Sequence, residues 1–198
     1  MRLRRSAVAL SAALLLTACQ GGVAPPGESN VEVDTPELRE QKAAAGIEPC
    51  EPGTGSGGEL PDLTLPCLGG GADVDLSTLE GPMLLNVWFS GCAPCVREMP
   101  VLQQLHEEDG GRIAVVGIDV ETSPGAAIRF ADEVGATYPQ LADPGGTVFD
   151  DAELRLPAAF PVTVLLDADG RVAYKAAVEL TSLGQVHGLV RDHLGLTL

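Results

Sequence analysis

The residues Met83-Leu84-Leu85-Asn86-Val87-Trp88-Phe89 form a nearly continuous apolar run, and the chain then reads Cys92-Ala93-Pro94-Cys95. Such a run suits a strand buried on both faces, the kind that lies inside a parallel sheet. Beyond the cysteines, Met99, Leu102 and Leu105 recur at helical spacing between Val96 and Glu108. A buried strand that passes through a cysteine pair directly into a helix restricts the chain to an α/β architecture, with its chemistry at the strand's end.

The remaining signals agree with that class. Asp62 to Leu65 and Asp73 to Leu76 read as a short hairpin around Gly69-Gly70-Gly71. Arg112 to Val120 is a second buried strand, Ala126 to Val134 a helix stopped by Gly135, Tyr138 to Leu141 a short strand, and Val148 to Leu154 a short helix. Pro161 opens a strand over Val162 to Leu166, and Asp167-Ala168-Asp169-Gly170 turns it into Arg171 to Val178. Ser182 to Leu194 closes as a helix. One parallel crossover and one terminal antiparallel hairpin predict a central mixed β-sheet flanked by helices.

The N-terminus reads as an address. Arg2, Arg4 and Arg5 precede an uncharged apolar stretch from Ser6 to Leu16, which fits a secretory signal over residues 1–18 better than a buried helix. The stretch ends in Leu16-Thr17-Ala18-Cys19, which resembles the lipobox of bacterial lipoproteins. That resemblance implies cleavage before Cys19 and a lipid on its sulfur, holding the chain at the outer face of the cytoplasmic membrane. Export places the domain where disulfides persist. Residues 19–59, rich in Gly, Pro, Ser and Glu, offer too little apolar surface to offset chain entropy and are expected to form mostly a flexible tether. A short helical piece fits Pro36 to Ala45, and organised structure is expected from Leu60 to the C-terminus. With 12 Lys+Arg against 28 Asp+Glu, and no basic run past the first five residues, nucleic-acid binding is disfavoured.

Two residues between Cys92 and Cys95 place both sulfurs in one turn, close enough to join. The helix N-terminus favours a thiolate at Cys92, and Cys95, further in, suits resolution of a mixed disulfide. Other uses of this spacing fit less well. A c-type haem needs His after the second Cys, where this chain has Val96. Structural zinc needs two more ligands; Cys50 and Cys67 could serve but lack the paired spacing. An inert staple stays open. Cys50 and Cys67 themselves read as a structural disulfide closing a short loop, worth roughly 3 kcal/mol on chain-entropy grounds. A second redox pair exchanging with Cys92 is the sharper alternative. His106, His187 and His193 have no ligand-like spacing and are expected at the surface. No metal or cofactor site is read from the sequence.

The segment Asn86-Val87-Trp88-Phe89-Ser90-Gly91-Cys92-Ala93-Pro94-Cys95-Val96-Arg97-Glu98-Met99-Pro100 resembles the active site of TlpA/ResA-like thioredoxin-fold oxidoreductases. The resemblance runs from about Leu60 to the end. It implies a thioredoxin-like fold, with the segment from Val120 to Val148 as the βα insertion of this branch. It also implies that Trp88 and Pro94 line the site, that Pro100 kinks the active-site helix, and that Phe160-Pro161 forms a cis-proline loop facing the cysteines. Pro157 competes with Pro161 for that place. Glu98 matches an acidic residue near the cysteine pair, and as a proton carrier it would have to be buried. Two departures stand out: Gly91 replaces the tryptophan that often precedes the first cysteine, and Asn86 replaces thioredoxin's buried aspartate.

The implied activity is thiol–disulfide exchange through Cys92 and Cys95, assisted by Glu98. The expected partners are disulfides or thiols of exported proteins, apocytochrome c among them, and a membrane thiol donor, with a monomeric chain held to the membrane through Cys19. Disulfide donation would use the same atoms. A peroxiredoxin-type peroxidase wants Thr where this chain has Phe89, and a copper carrier of Sco type wants three residues between its cysteines. A non-catalytic lipoprotein adaptor is the last alternative.

Overall fold

A computed structural model describes residues 30–108 and 111–198. The expected leader over residues 1–18 and the lipidation at Cys19 lie outside the described residues. Among those described, no helix is long and apolar enough to cross a membrane.

The run at residues 83–89 forms β3 (Met83–Trp88), after a two-residue pair, β1 (Thr64–Leu65) and β2 (Val74–Asp75). β3 is the middle strand of a five-stranded sheet, which also contains β4 (Ala114–Asp119), β5 (Gln140–Ala142), β6 (Val162–Leu166) and β7 (Val172–Ala177). The order is β5-β4-β3-β6-β7. β3, β4 and β5 run parallel, whereas β6 and β7 are antiparallel to their neighbours. Every residue of β3 is buried because both faces of the sheet are covered. Leu84 and Trp88 pack with the apolar faces of α2 (Ala93–Glu108), α3 (Pro124–Glu133) and α4 (Leu183–Leu194). Met83, Leu85 and Val87 pack with Leu65, Val74 and Leu76 of the hairpin region. Alternate residues of one strand thus serve two cores.

The tether expectation for residues 19–59 is corrected over residues 30–59. Helix α1 (Pro36–Ala45) starts at Thr35, whose hydroxyl oxygen accepts from the Leu38 N–H at 3.3 Å, and it packs against α3. Val33, Leu38 and Ile47 are buried in the helix-side core, and Cys50 in the other. Few large apolar residues are present here, but Val33, Leu38 and Ile47 are buried, and a disulfide from Cys50 to Cys67 fastens the segment to the hairpin. Low hydrophobicity of the stretch understated what those few contacts hold.

A second difference concerns Val148 to Leu154, which does not form an α-helix. A single 3₁₀ turn over Thr147–Phe149 appears instead. The Asp143 carboxylate accepts from the backbone N–H groups of Thr147 and Val148, each at 2.9 Å, and fixes that turn. The expected cis bond is found at Phe160–Pro161 and not at Pro157; Gly81–Pro82, a position without any sequence signal, is also cis.

Candidate active site

Trp88 ends β3, and three loop residues later Cys92 stands directly before the first residue of α2. Cys92 and Cys95 are joined in a disulfide, with Cα atoms 5.2 Å apart. The Cys95 N–H donates to Cys92 Sγ at 3.2 Å. Unpaired amides of a helix's first turn, together with its dipole, lower the cost of negative charge there. Such an arrangement can stabilise a thiolate at the Cys92 position once the bond is reduced. Cys95 is fully buried and Cys92 nearly so. Gly91, Ala93 and Val96 surround the pair with exposed, uncharged surface, and Pro94 is half-buried beside it.

Glu98 lies one turn beyond Cys95 and is fully buried. Its Oε1 accepts from Asn86 Nδ2 at 2.6 Å, and its Oε2 accepts from the Leu180 N–H at 2.7 Å. Burial pushes its pKa up from 4.5 to about 7, against the lowering effect of these two donors and with a further rise from nearby Glu179. Glu179 is itself held by Arg97 through two bonds of 2.7 and 2.8 Å. The side-chain oxygen of Asn86, Oδ1, has no partner. Asn86 can thus donate to the carboxylate or, with its amide turned over, accept from the acid. The residue that replaces thioredoxin's aspartate serves both protonation states of the carboxylate.

Trp88 lies beneath the site and not at its surface. It is fully buried, its ring centroid is 5.3 Å from that of Phe130, and its Nε1–H donates to Gln140 Oε1 at 2.9 Å. Gly117, on the strand beside Trp88, makes room for that bond: a Cβ there would come within 1.8 Å of Gln140 Oε1. Phe160, half-buried, meets Phe89 and Phe149 edge-on, with centroids 4.9 and 5.3 Å away, and Pro161 is buried. A Cβ on Gly91 would lie 2.9 Å from the Phe89 ring, so Phe89 partly fills the space that opens when tryptophan is absent.

Three participants carried no sequence signal. Gln140 and Gly117 form the Trp88 support. Asp119, paired with Trp88 across β3 and β4, is the third. Its Oδ1 accepts from the Glu121 N–H at 2.9 Å while Oδ2 has no partner, and burial raises its pKa to about 8. Glu121 in turn accepts from the Ser90 backbone N–H and hydroxyl in the active-site loop. Polar residues inside a strand of apolar neighbours show no periodicity, and only the fold brings these together.

A profile of the AhpC/TSA family matches residues 56–175. The thiol-disulfide oxidoreductase ResA of Halalkalibacterium halodurans is 30% identical over 130 residues, 64% of this chain and 68% of that protein. A thiol:disulfide interchange protein, a DsbE homolog of Paracoccus denitrificans, is 37% identical over 98 residues; the match covers 49% of this chain and about half, 51%, of that protein. Among solved structures, a secreted thiol-disulfide isomerase from Corynebacterium glutamicum superposes with a TM-score of 0.57 at 32% identity, covering 69% of this chain and 83% of that one.

Proposed function

The chain belongs to the AhpC/TSA family and is a thioredoxin-fold thiol–disulfide oxidoreductase; from that premise we propose that it reduces disulfides of exported proteins outside the cytoplasm. The observation that carries the reading is the Cys92–Cys95 disulfide at the start of α2, with the Cys95 N–H aimed at Cys92 Sγ. In the reduced enzyme the Cys92 thiolate attacks one substrate sulfur, and the other leaves as a thiolate. Cys95 then attacks Cys92 Sγ, restoring the intramolecular disulfide and releasing the second substrate thiol. Cys95 must lose a proton to do so. Glu98, on the next turn with a pKa near 7, can accept it at neutral pH, and Asn86 follows the change by turning its amide.

The uncharged rim of Gly91, Ala93 and Val96 fits a polypeptide segment and not a charged small molecule. The leader and lipobox-like Leu16-Thr17-Ala18-Cys19 support attachment to the outer face of the membrane, close to a membrane thiol donor that would return electrons to the pair. Oxidised apocytochrome c is the substrate favoured by the resemblance to TlpA and ResA, and the chain acts as a monomer. Reduction of insulin and of an oxidised apocytochrome c peptide, with dithiothreitol as donor, tests the reading. Wild type should turn over both substrates, and Cys92→Ser neither. Equal rates for the two proteins, with equal rates in an oxidation assay, would remove the enzyme reading; peroxide consumption by Cys95→Ser would replace it with a peroxidase.

A further inference from the structure

The second disulfide, Cys50–Cys67, sits away from α2 in surroundings that a mere staple does not require. Lys42, on α1, is buried, and its Nζ donates to Cys67 Sγ at 2.9 Å and to the Gly70 carbonyl at 2.8 Å. The Gly69-Gly70-Gly71 turn, with φ of 71°, 89° and 132°, closes over this side chain. A Cβ on Gly69 would come within 2.8 Å of Lys42 Cβ. Burial of an ammonium is costly, and here it is directed at a sulfur that carries no charge while oxidised. Among the described residues, Asp34 is the one charged group seen to act on it, and that carboxylate pairs with Arg39 at 2.5 Å.

The partner sulfur has a different environment. Cys50 Sγ lies 3.3 Å from the Gln140 carbonyl oxygen, an acceptor suited to a thiol S–H. Cys50 also lines an apolar cavity of about 300 Å³ shared with Val74, Leu79, Met83 and Leu141, with Glu48 and Glu51 among its walls. One sulfur is therefore provided for as a thiol and reached through a cavity, and the other as a thiolate beside an ammonium.

We propose that Cys50–Cys67 is a second thiol–disulfide exchange site, opened by a small neutral dithiol that attacks Cys50 Sγ while Cys67 leaves as a thiolate held by Lys42. The dithiol's first sulfur forms a mixed disulfide with Cys50, and the electron pair of the broken S–S bond stays on Cys67. Its second thiolate then attacks the first, freeing Cys50, which takes up a proton and, as a thiol, donates a hydrogen bond to the Gln140 carbonyl. The dithiol ends as a disulfide, two electrons rest on the pair, and one proton is released. A leaving thiolate stabilised by a cation departs faster, so attack is directed to Cys50.

The test uses the full wild-type chain and Lys42→Met in dithiothreitol redox buffers, with differential alkylation resolved by peptide mass so that both cysteine pairs are read in one sample. Loss of the ammonium should make Cys50–Cys67 at least tenfold harder to reduce, about 30 mV for a two-electron couple, and leave the Cys92–Cys95 midpoint in place. A staple that Lys42 merely braces would lose thermal stability in both redox forms without this shift. Should Lys42→Met not fold, β-mercaptoethanol trapping on the wild type decides: the adduct is expected on Cys50. An adduct on Cys67, coincident midpoints, or a pair that resists reduction until the chain unfolds would each overturn the proposal.

Discussion

Glu98→Gln removes the proposed proton acceptor, the buried carboxyl one turn beyond Cys95, while keeping its shape. The glutamine carbonyl can accept from the Leu180 N–H, and its amide can donate to Asn86 Oδ1, which has no partner in the wild type. Folding raises the Glu98 pKa from 4.5 to about 7, so the folded chain holds this proton more tightly than the unfolded one. The stabilisation from that proton is complete below pH 4.5 and is lost as pH rises through 7, about 3 kcal/mol in all at roughly 1.4 kcal/mol per unit. Urea unfolding of oxidised protein should therefore show wild type losing stability relative to Glu98→Gln between pH 5 and 8. Taking the difference between the two proteins cancels the contribution of Asp119, which has the same sign. For the chemistry, a positioned base contributes about 10²–10⁴-fold. Single-turnover resolution of a mixed disulfide can be followed through Trp88, the one tryptophan of the chain. Near pH 5 both proteins should react at similar low rates, because the wild-type carboxyl is protonated. By pH 8 the wild type should lead by about 100-fold, with the gap opening around pH 7. A rate ratio that stays constant across this range would refute the proton-carrier assignment, whatever the stability data show.

Two further variants test the scaffold. Gly117→Ala places a methyl group against Gln140 Oε1 and breaks its bond from Trp88; a cost of about 2–4 kcal/mol and a shifted Trp88 emission are expected, checked by urea unfolding and fluorescence. Replacing both Cys50 and Cys67 by Ala should lower unfolding stability by about 3 kcal/mol while leaving insulin reduction through Cys92 and Cys95 close to wild type.

Much of the site was legible because its logic is local. The apolar run into Cys92, the two-residue spacing and the helical period after it lie within one continuous stretch, and the structure keeps them as strand, turn and helix. Glu98 was visible by its one-turn offset from Cys95, although its burial was not, since that depends on Leu180 and Asn86 from other elements. The N-terminal region misled for a related reason. The helix at Pro36 to Ala45 was legible, but the polar composition of the stretch around it suggested a tether, whereas Leu38 and the stem of Lys42 are buried by contacts with distant parts of the chain. Lys42 beside Cys67, and Gly117 beside Gln140, are pairings across separate segments for which a single sequence holds no sign.

Gln140 makes the two disulfides neighbours in the physical sense. Its side-chain Oε1 accepts from Trp88, beneath the active site, and its backbone carbonyl accepts from the Leu68 N–H at 2.8 Å and faces Cys50 Sγ at 3.3 Å. The strand that carries it, β5, is an edge strand with three residues and one neighbour in the sheet. Its outer side is engaged by backbone bonds from Leu68 to Gln140 and from Ala142 to the Pro66 carbonyl, on either side of Cys67. The segment that holds the second disulfide therefore also covers the edge on which the Trp88 support depends. An exposed edge strand invites pairing with other chains, and here the covering segment is fastened by a covalent bond. Reduction of Cys50–Cys67 would remove that fastening without breaking the backbone bonds themselves. The second disulfide thus fastens the segment that covers the short strand carrying the Trp88 support.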